Sequence, residues 1–340
     1  MRYRFDDIAH IDAATFLASA TTDSAVDVHA NAQVSIATLH EVWTTLRASG
    51  VVTAVPMALL VYVQSREVTA LQHFFPIIRH LSGARRQRWL HWFRQLLVHT
   101  PIDILLLTPA KTPAPLALQC MVVGQVVSCF VDRPDILAAF SGSTPSFWLC
   151  TNSSVYDRVG GVGGGCYDEG AHRIILVAER LFEGYYTAVP GVSPLLHELG
   201  HMLDGMNRRL RNEPSCRGEL PLMSAQQLHD WRGAKETEVR LYQHYRSTGH
   251  IQGRAPLGHP YVFQTDGEFL AGHWELFWRN PHAFAQTAPD LYLAIAHIVN
   301  HDPRAYTVDY RGYVDDNTAF YARGEPAWPS AIRLHTNEHL

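Results

Sequence analysis

Apolar residues recur every three or four positions over long parts of the chain, which is the pattern of helices with one buried face. This repeat runs through residues 35–47, 71–98, 116–127, 193–205 and 265–278. Within the second of these stretches, Ser82 and Gly83 predict a break followed by a new helix. The chain is therefore expected to be mostly helical.

Short continuous apolar runs predict strands between the helices. Residues 101–107 and 174–177 are typical of buried strands, because both runs are short, apolar and bounded by turn residues. The run 51–63 fits a strand or a buried helix equally well, and its pattern does not decide between them. A few strands are therefore expected among the helices.

A glycine-rich loop, residues 160–165, precedes the second of these strands. Such loops bind phosphates in nucleotide-binding folds, but this one lacks the Lys-Ser/Thr ending of a P-loop. A dinucleotide-binding fold also places its strand before the glycines, whereas here the strand follows them. We therefore expect a flexible rim rather than a nucleotide site.

The composition is that of a globular protein without an anionic partner. The chain has 340 residues, 47% of them hydrophobic, which suffices for one large domain or two packed lobes. The formal net charge is −4, with 28 basic against 32 acidic residues, so no basic surface for nucleic acid or anionic lipid is expected. The most hydrophobic run, 51–63, is too short to span a bilayer. We expect no nucleic-acid or membrane partner.

The cysteines favour a reducing compartment. Five cysteines without a C-x-x-C pair fit free thiols better than a disulfide framework, and none is placed as a metal ligand. The N-terminus begins with charged residues and lacks the apolar core of a signal peptide. These features predict a cytoplasmic protein.

One of the predicted helices is bounded by its own sequence. Ser193 suits the N-cap, Pro194 the first helical position and Gly205 a left-handed stop. Leucine and methionine residues recur between these bounds, as a half-buried helix requires. A short helix over residues 193–205 is therefore predicted.

The same helix carries the pattern H-E-x-x-H, formed by His197, Glu198 and His201. The two histidines lie one turn apart on one face, so both imidazoles can reach one metal ion. In this arrangement the histidines bind zinc, and the glutamate accepts a proton from the water that zinc activates. The alternative is an ordinary core helix with two hydrogen-bonded histidines.

A catalytic zinc site uses three protein ligands, so a third is expected downstream. The helix predicted over 265–278 offers Glu268 in its first turn and Glu275 two turns later on the same face. His259 and His273 are rival ligands by residue type alone.

Each carboxylate on this helix has a second interpretation. Thr265 and Glu268 have the spacing of a capping box, in which the Glu268 carboxylate would only cap its own helix. Glu275 would be either a second carboxylate at the metal or a hydrogen-bond partner. The residues alone leave these alternatives open.

Together these motifs resemble the MtfA family of bacterial zinc metallopeptidases. The shared features are an H-E-x-x-H-x-x-D segment that ends at Asp204, the helix start Gly267-Glu268-Phe269-Leu270-Ala271, and the pair Asp302-Pro303. The likeness covers residues 80–305, with specific motifs after residue 170. It implies a zincin-like α+β fold of the gluzincin type, mostly helical with a small mixed sheet, similar to the catalytic core of anthrax lethal factor.

The resemblance also implies roles for single residues. It places the third zinc ligand at Glu268, and a tyrosine that donates a hydrogen bond to the transition state at Tyr261. Asp204 would accept a hydrogen bond from a ligand imidazole. On residue type alone, Tyr261 is a packed loop aromatic and Asp204 a helix-end carboxylate that faces water. The sequence departs from the family at Gly267, where alanine is usual, and in its glycine-rich loop.

The predicted function is peptide-bond hydrolysis by an aminopeptidase-like zinc enzyme. One Zn²⁺ per chain would be held by His197, His201 and Glu268, with Glu198 as general base. The substrate would be a peptide or protein, which could pair with an edge strand at 174–177, although that run could also be an internal strand. The alternative is a regulatory protein that binds and sequesters a transcriptional repressor, with peptidase activity secondary.

The motifs predict a division of the chain into four parts. Residues 1–75 form an N-terminal helical segment of unknown role, and 76–150 a scaffold lobe. Residues 151–310 form the zincin catalytic region, and 311–340 a C-terminal tail.

Overall fold

The computed structural model describes residues 68–105, 111–114, 116–150, 153–159, 165–177, 181, 193–211, 217–307 and 312–323. The predicted helix at 35–47, the run 51–63 and most of the glycine-rich loop lie outside these residues. The chain forms two compact units, residues 1–182 and residues 183–340. The four-part division by motif stays a prediction.

The described part of the first unit combines helices with a five-stranded sheet. Its helices are α1 (Val68–Phe74), α2 (Ile77–His80), α3 (Gly83–His99), α4 (Leu116–Phe130), α5 (Pro134–Gly142) and α6 (Ser153–Arg158). Its strands are β1 (Ile102–Leu105), β2 (Lys111–Pro113), β3 (Ser146–Cys150), β4 (Gly165–Asp168) and β5 (Arg173–Val177). The predicted break at Ser82 and Gly83 is confirmed, since α3 begins there.

The sheet is mixed. Its order is β2-β1-β3-β5-β4, in which β1, β3 and β5 are parallel and the two edge strands are antiparallel to their neighbours. The prediction of an edge strand at 174–177 is wrong, because β5 is hydrogen-bonded to β3 on one side and to β4 on the other. A strand that is buried at every one of these positions is typical of a sheet interior.

The second unit is helical in its described part. Its helices are α7 (Pro194–Arg211), α8 (Ala225–Thr248), α9 (Asp266–Arg279), α10 (Pro281–Thr287), α11 (Pro289–Val299) and α12 (Gly312–Arg323). Two 3-10 turns, Pro260–Phe263 and Pro303–Ala305, lie between them. The protein is therefore a mostly helical α+β protein with a small mixed sheet, as predicted. None of the described helices is both long enough and apolar enough to cross a membrane.

Helix α7 begins where the sequence predicts but does not end there. Ser193 precedes the helix, and its carbonyl accepts the N–H of His197 at 3.0 Å. The predicted stop at Gly205 is wrong, since the helix continues to Arg211. A helical glycine costs only about 1 kcal/mol, and the next residue, Met206, is fully buried in the core, which favours continuation.

Helices α7 and α9 approach each other closely at one pair of small residues. A Cβ atom placed on Gly200 would lie 2.6 Å from the Cα atom of Ala271, which is nearer than real side chains come. Leu199 and Leu270 beside them are fully buried. The absence of a side chain at Gly200 therefore sets the distance between the two helices.

Candidate metal centre

Helix α7 presents two imidazoles to one point. The Nε2 atoms of His197 and His201 are 3.2 Å apart, and the ring centroids are 4.9 Å apart. His197 is fully buried, whereas 23% of the His201 side chain is exposed. The pair therefore has a buried side and a side open to solvent.

Helix α9 brings Glu268 to the same point. Its Oε2 atom lies 3.1 Å from Nε2 of His197 and 3.5 Å from Nε2 of His201. In the described part of the chain, these three residues form the one group of histidine, cysteine or acidic side chains that could hold a metal ion. The structure thus brings together side chains that are 67 and 71 positions apart in the sequence.

The capping-box interpretation of Glu268 holds for the backbone only. Thr265 Oγ1 accepts the N–H of Glu268 at 3.1 Å, as an N-cap residue does. The Glu268 carboxylate, however, is directed to the histidines and is not hydrogen-bonded back to Thr265. By contrast, Ser224 and Gln227 at the start of α8 form both bonds of a capping box.

Glu275 lies behind His197. Its Oε2 atom is 3.4 Å from Nδ1 of His197, and its Oε1 atom accepts the N–H of Ser193 at the start of α7. The Glu275 side chain is fully buried. Its Oε2 atom therefore pairs with the rear nitrogen of the His197 ring rather than joining the three ligand atoms, and this contact favours the ring orientation that presents Nε2 to the centre.

Asp204 is buried rather than facing water. Its two carboxylate oxygens accept the N–H groups of Gly218 and Glu219 at 3.1 and 3.2 Å. Burial raises the pKa of Asp204, although these two bonds and the charge of His201 act in the opposite direction. The carboxylate therefore ties the turn of the second histidine to the segment that precedes α8.

Gly267 stands where the family usually has alanine, and the structure has room for a methyl group at this position. A Cβ atom on Gly267 would lie 3.5 Å from Nδ1 of His201 and 3.8 Å from Oδ2 of Asp204, which is ordinary contact. Gly267 therefore lies against both residues, and the substitution relative to the family does not change the ligand arrangement.

Tyr261 borders the centre from the 3-10 turn that precedes α9. Its hydroxyl donates to Oε1 of Glu268 at 2.9 Å, and its ring centroid is 6.4 Å from that of His197. Burial, and then the charge of Glu268, raise the pKa of Tyr261 above its ordinary value. The phenol therefore remains a hydrogen-bond donor at neutral pH.

The two rival histidines are engaged elsewhere. His259 caps the 3-10 turn, and its Nδ1 accepts the N–H of Tyr261 at 3.1 Å. His273 is buried with its Nδ1 2.7 Å from the carbonyl oxygen of Phe269 and its Nε2 3.1 Å from that of Leu257. Neither belongs to the group that could hold a metal.

One comparison with known proteins gives a match, to a family of metallopeptidases. Residues 156–299 match the family model described as glucose-regulated metallo-peptidase M90. This region is therefore similar to the M90 metallopeptidases. The match includes α7, α9 and every candidate site residue between them, and it ends before α12. No curated protein matches the chain.

An M90 metallopeptidase requires a metal, and the donor atoms fit one. Ligands about 2.1 Å from a tetrahedral ion are about 3.4 Å apart, and the three atoms here are separated by 3.1, 3.2 and 3.5 Å. Two imidazole nitrogens and one carboxylate oxygen are also a donor set typical of catalytic zinc. These three residues could therefore hold a metal ion.

The centre stabilises positive charge. Burial alone lowers the pKa of His197, but hydrogen bonds with Glu268 and Glu275 and the charge of Glu198 raise that pKa to about 10. Burial alone raises the pKa of Glu268, but hydrogen bonds from His197 and His201 bring it well below its ordinary value. A divalent cation bound among these groups would compensate the negative charge of the carboxylates in the same way.

Sequence reasoning did not assign a role to Gly200. A glycine inside a predicted helix costs about 1 kcal/mol relative to alanine, so its presence between two candidate ligands indicates close packing. That signal could have predicted the contact with another helix. It could not have named Ala271 as the partner.

Proposed function

We propose that this chain is a zinc-dependent, aminopeptidase-like peptidase whose metal ligands are His197, His201 and Glu268. The observation that carries the proposal is the convergence of their three ligand atoms within 3.5 Å of one another. Zinc is favoured over magnesium or calcium because those ions prefer sites made of oxygen ligands alone.

Glu198 is the general base in this proposal. It follows His197 directly and is buried, and its charge acts on both His197 and Tyr261, so it lies close to the same centre. A zinc ion held there supplies Lewis acidity, which makes water a nucleophile near neutral pH and polarises the peptide carbonyl. Glu198 accepts the proton of the attacking water and transfers it to the leaving amine.

Tyr261 stabilises the charge that develops on the carbonyl oxygen. Its hydroxyl already lies at the edge of the site, where it donates to the outer oxygen of Glu268. The hydroxyl would exchange the Glu268 oxygen for the oxyanion as its acceptor, and loss of one such donor typically lowers kcat by about 10²- to 10³-fold.

The experiment compares Glu198→Gln with His201→Ala in the full chain. Zinc content is measured by atomic absorption, and hydrolysis with aminoacyl p-nitroanilides in the presence and absence of a chelator. We expect Glu198→Gln to retain zinc and to lose hydrolysis by about 10²- to 10⁴-fold, because it removes only the base. His201→Ala should lose both, and chelation should abolish wild-type activity. Undiminished hydrolysis in a zinc-loaded Glu198→Gln protein would refute the assignment.

The regulatory alternative makes a different prediction for the same protein. If the zinc-loaded chain hydrolyses none of these substrates yet binds a transcriptional repressor, binding is its primary role. Turnover that follows zinc content across the variants instead supports the peptidase.

A further inference from the structure

The backbone before Tyr261 is held by a helix that follows the M90 match. Asn317 of α12 donates from Nδ2 to the carbonyl oxygen of Pro256 at 3.0 Å and accepts the N–H of Gly258 at Oδ1 at 3.1 Å. The Asn317 side chain is buried. Both ends of one buried amide are thus bonded to backbone that is about 60 residues away in sequence.

Tyr321, one turn later on α12, adds a third bond to the same segment. Its hydroxyl donates to the carbonyl oxygen of Gly258 at 2.6 Å, and the residue is buried. Gly258 has a φ of 102°, a conformation that other residues rarely adopt. Both backbone groups of this glycine are therefore bonded to α12.

Leu257, the residue between these contacts, is bonded to two other helices. The N–H of Leu257 donates to Oε2 of Glu238 on α8 at 3.2 Å, and its carbonyl oxygen contacts Nε2 of His273 on α9. The segment 256–258 is therefore fixed by side chains from three helices.

The backbone between this segment and Tyr261, the candidate oxyanion donor, has little conformational freedom. Only His259 and Pro260 separate Gly258 from Tyr261. The proline ring fixes φ, and the His259 ring accepts the N–H of Tyr261. A shift of Gly258 therefore moves the Tyr261 ring.

We propose that Asn317 and Tyr321 are positioning residues that hold Tyr261 at the metal centre, a role that rests on the proposed peptidase function. They act through the backbone of 256–258. A displacement of about 1 Å at a catalytic group can lower the rate by about 10²-fold, so the bonds from α12 contribute to kcat as well as to folding.

The test uses Tyr321→Phe and Asn317→Ala in the zinc-loaded full chain, with Tyr292→Phe as the matched control. Tyr292 is as buried as Tyr321 and also donates one hydrogen bond at 2.6 Å, but its acceptor is Asp302. The control therefore removes an equivalent hydroxyl from the second unit without touching 256–258. Tyr321→Phe preserves the buried ring, so the test does not depend on whether Asn317→Ala folds.

We expect both variants to lower kcat about 10-fold while KM and zinc affinity change less than about twofold. The loss should vanish in a Tyr261→Phe background, because the donor that is being positioned is then absent. Amide exchange of a peptide covering 254–264, read by mass spectrometry, should be at least about tenfold faster in both variants. Tyr292→Phe should show none of these changes.

Three results would overturn the inference: an unchanged kcat in Tyr321→Phe, an equal loss in the Tyr261→Phe background, or unchanged exchange of 254–264. An equal loss of kcat in Tyr292→Phe would also count against positioning, because it would show that Asn317 and Tyr321 affect kcat only through the stability of the fold. Failure of the proposed function looks different, since the zinc-loaded wild type then hydrolyses no peptide although exchange still responds to Tyr321→Phe.

Discussion

The two units of the chain bury different kinds of polar side chain. In the described part of residues 1–182, the polar residues buried as a whole are Thr100, Gln119 and Ser128, all uncharged, and the 6% exposed side chain of Asp132 is paired with Arg85. In the described part of residues 183–340, buried ionisable residues are numerous: His197, Glu198, Asp204, Glu219, Glu238, His273 and Glu275. Burying a charge costs several kcal/mol unless a partner offsets it.

This difference indicates that the first unit is a scaffold and that the second contains the candidate site. The first unit keeps its buried thiols neutral, since desolvation raises the pKa of Cys150 to about 12 and that of Cys129 further. The second unit instead pairs its buried charges, with Glu275 beside His197 and with Glu238 bonded to Arg254. Clusters of perturbed ionisable groups are typical of functional sites, and here they surround the three ligand atoms.

Among the substitutions that test this comparison of the two units, the largest effect is expected at Gly200, which carries no charge. Gly200→Ala would place a methyl group against the backbone of Ala271, so we expect α7 and α9 to move apart. The free energy of unfolding should fall by about 3 kcal/mol, and zinc affinity should fall with it as Glu268 leaves the histidines. Urea unfolding and chelator competition measure the two effects.

The matched control for this variant is Gly233→Ala in α8. Nothing lies within 4 Å of a Cβ atom at Gly233, so we expect stabilisation by about 0.5–1 kcal/mol and unchanged zinc affinity. If Gly200→Ala were equally harmless, the close contact would not determine the geometry of the site.

A smaller effect tests whether the buried charges serve the metal or only the fold. Glu275→Gln removes the charge behind His197 but keeps a side chain of the same shape, so zinc affinity should fall about 10- to 100-fold. Glu238→Gln removes an equally buried charge that is paired with Arg254 instead. It should lower stability and leave zinc affinity unchanged. Equal zinc affinities in the two variants would contradict the distinction.

The smallest expected effect concerns a charge that is only half buried. Asp302 accepts bonds from Tyr292 and Arg304. Burial raises its pKa, but the bonds lower it overall, to about 2. Because the folded-state pKa is below the unfolded value near 4, this stabilisation is complete above about pH 4 and is lost as the pH falls through about 2.

Asp302→Asn should therefore lower the free energy of unfolding at pH 7 by less than about 1 kcal/mol, since both charged partners are largely exposed and solvent screens them. The difference from the wild type should shrink between about pH 4 and pH 2. Urea unfolding at several pH values measures it, and a difference that grew at low pH would contradict the assignment.

Much of the local structure followed from residue order. The start of α7 at Pro194 was predicted, and α9 ends one residue after the predicted 278, with Thr265 as its N-cap, because caps act within a few residues. The stop at Gly205 was wrong, since packing of Met206 outweighs the small helical cost of glycine. The edge strand at 174–177 was wrong as well, because strand order depends on pairing between distant segments.

The sequence by itself determined which side chains could share a helical face. Two histidines four residues apart are brought together by the pitch of any α-helix, so His197 and His201 needed no further information. Only the tertiary structure decided between Glu268, Glu275, His259 and His273 as their partner. That choice depends on how closely α7 and α9 pack at Gly200 and on which backbone groups occupy the other side chains, and these contacts join residues that are far apart in the chain.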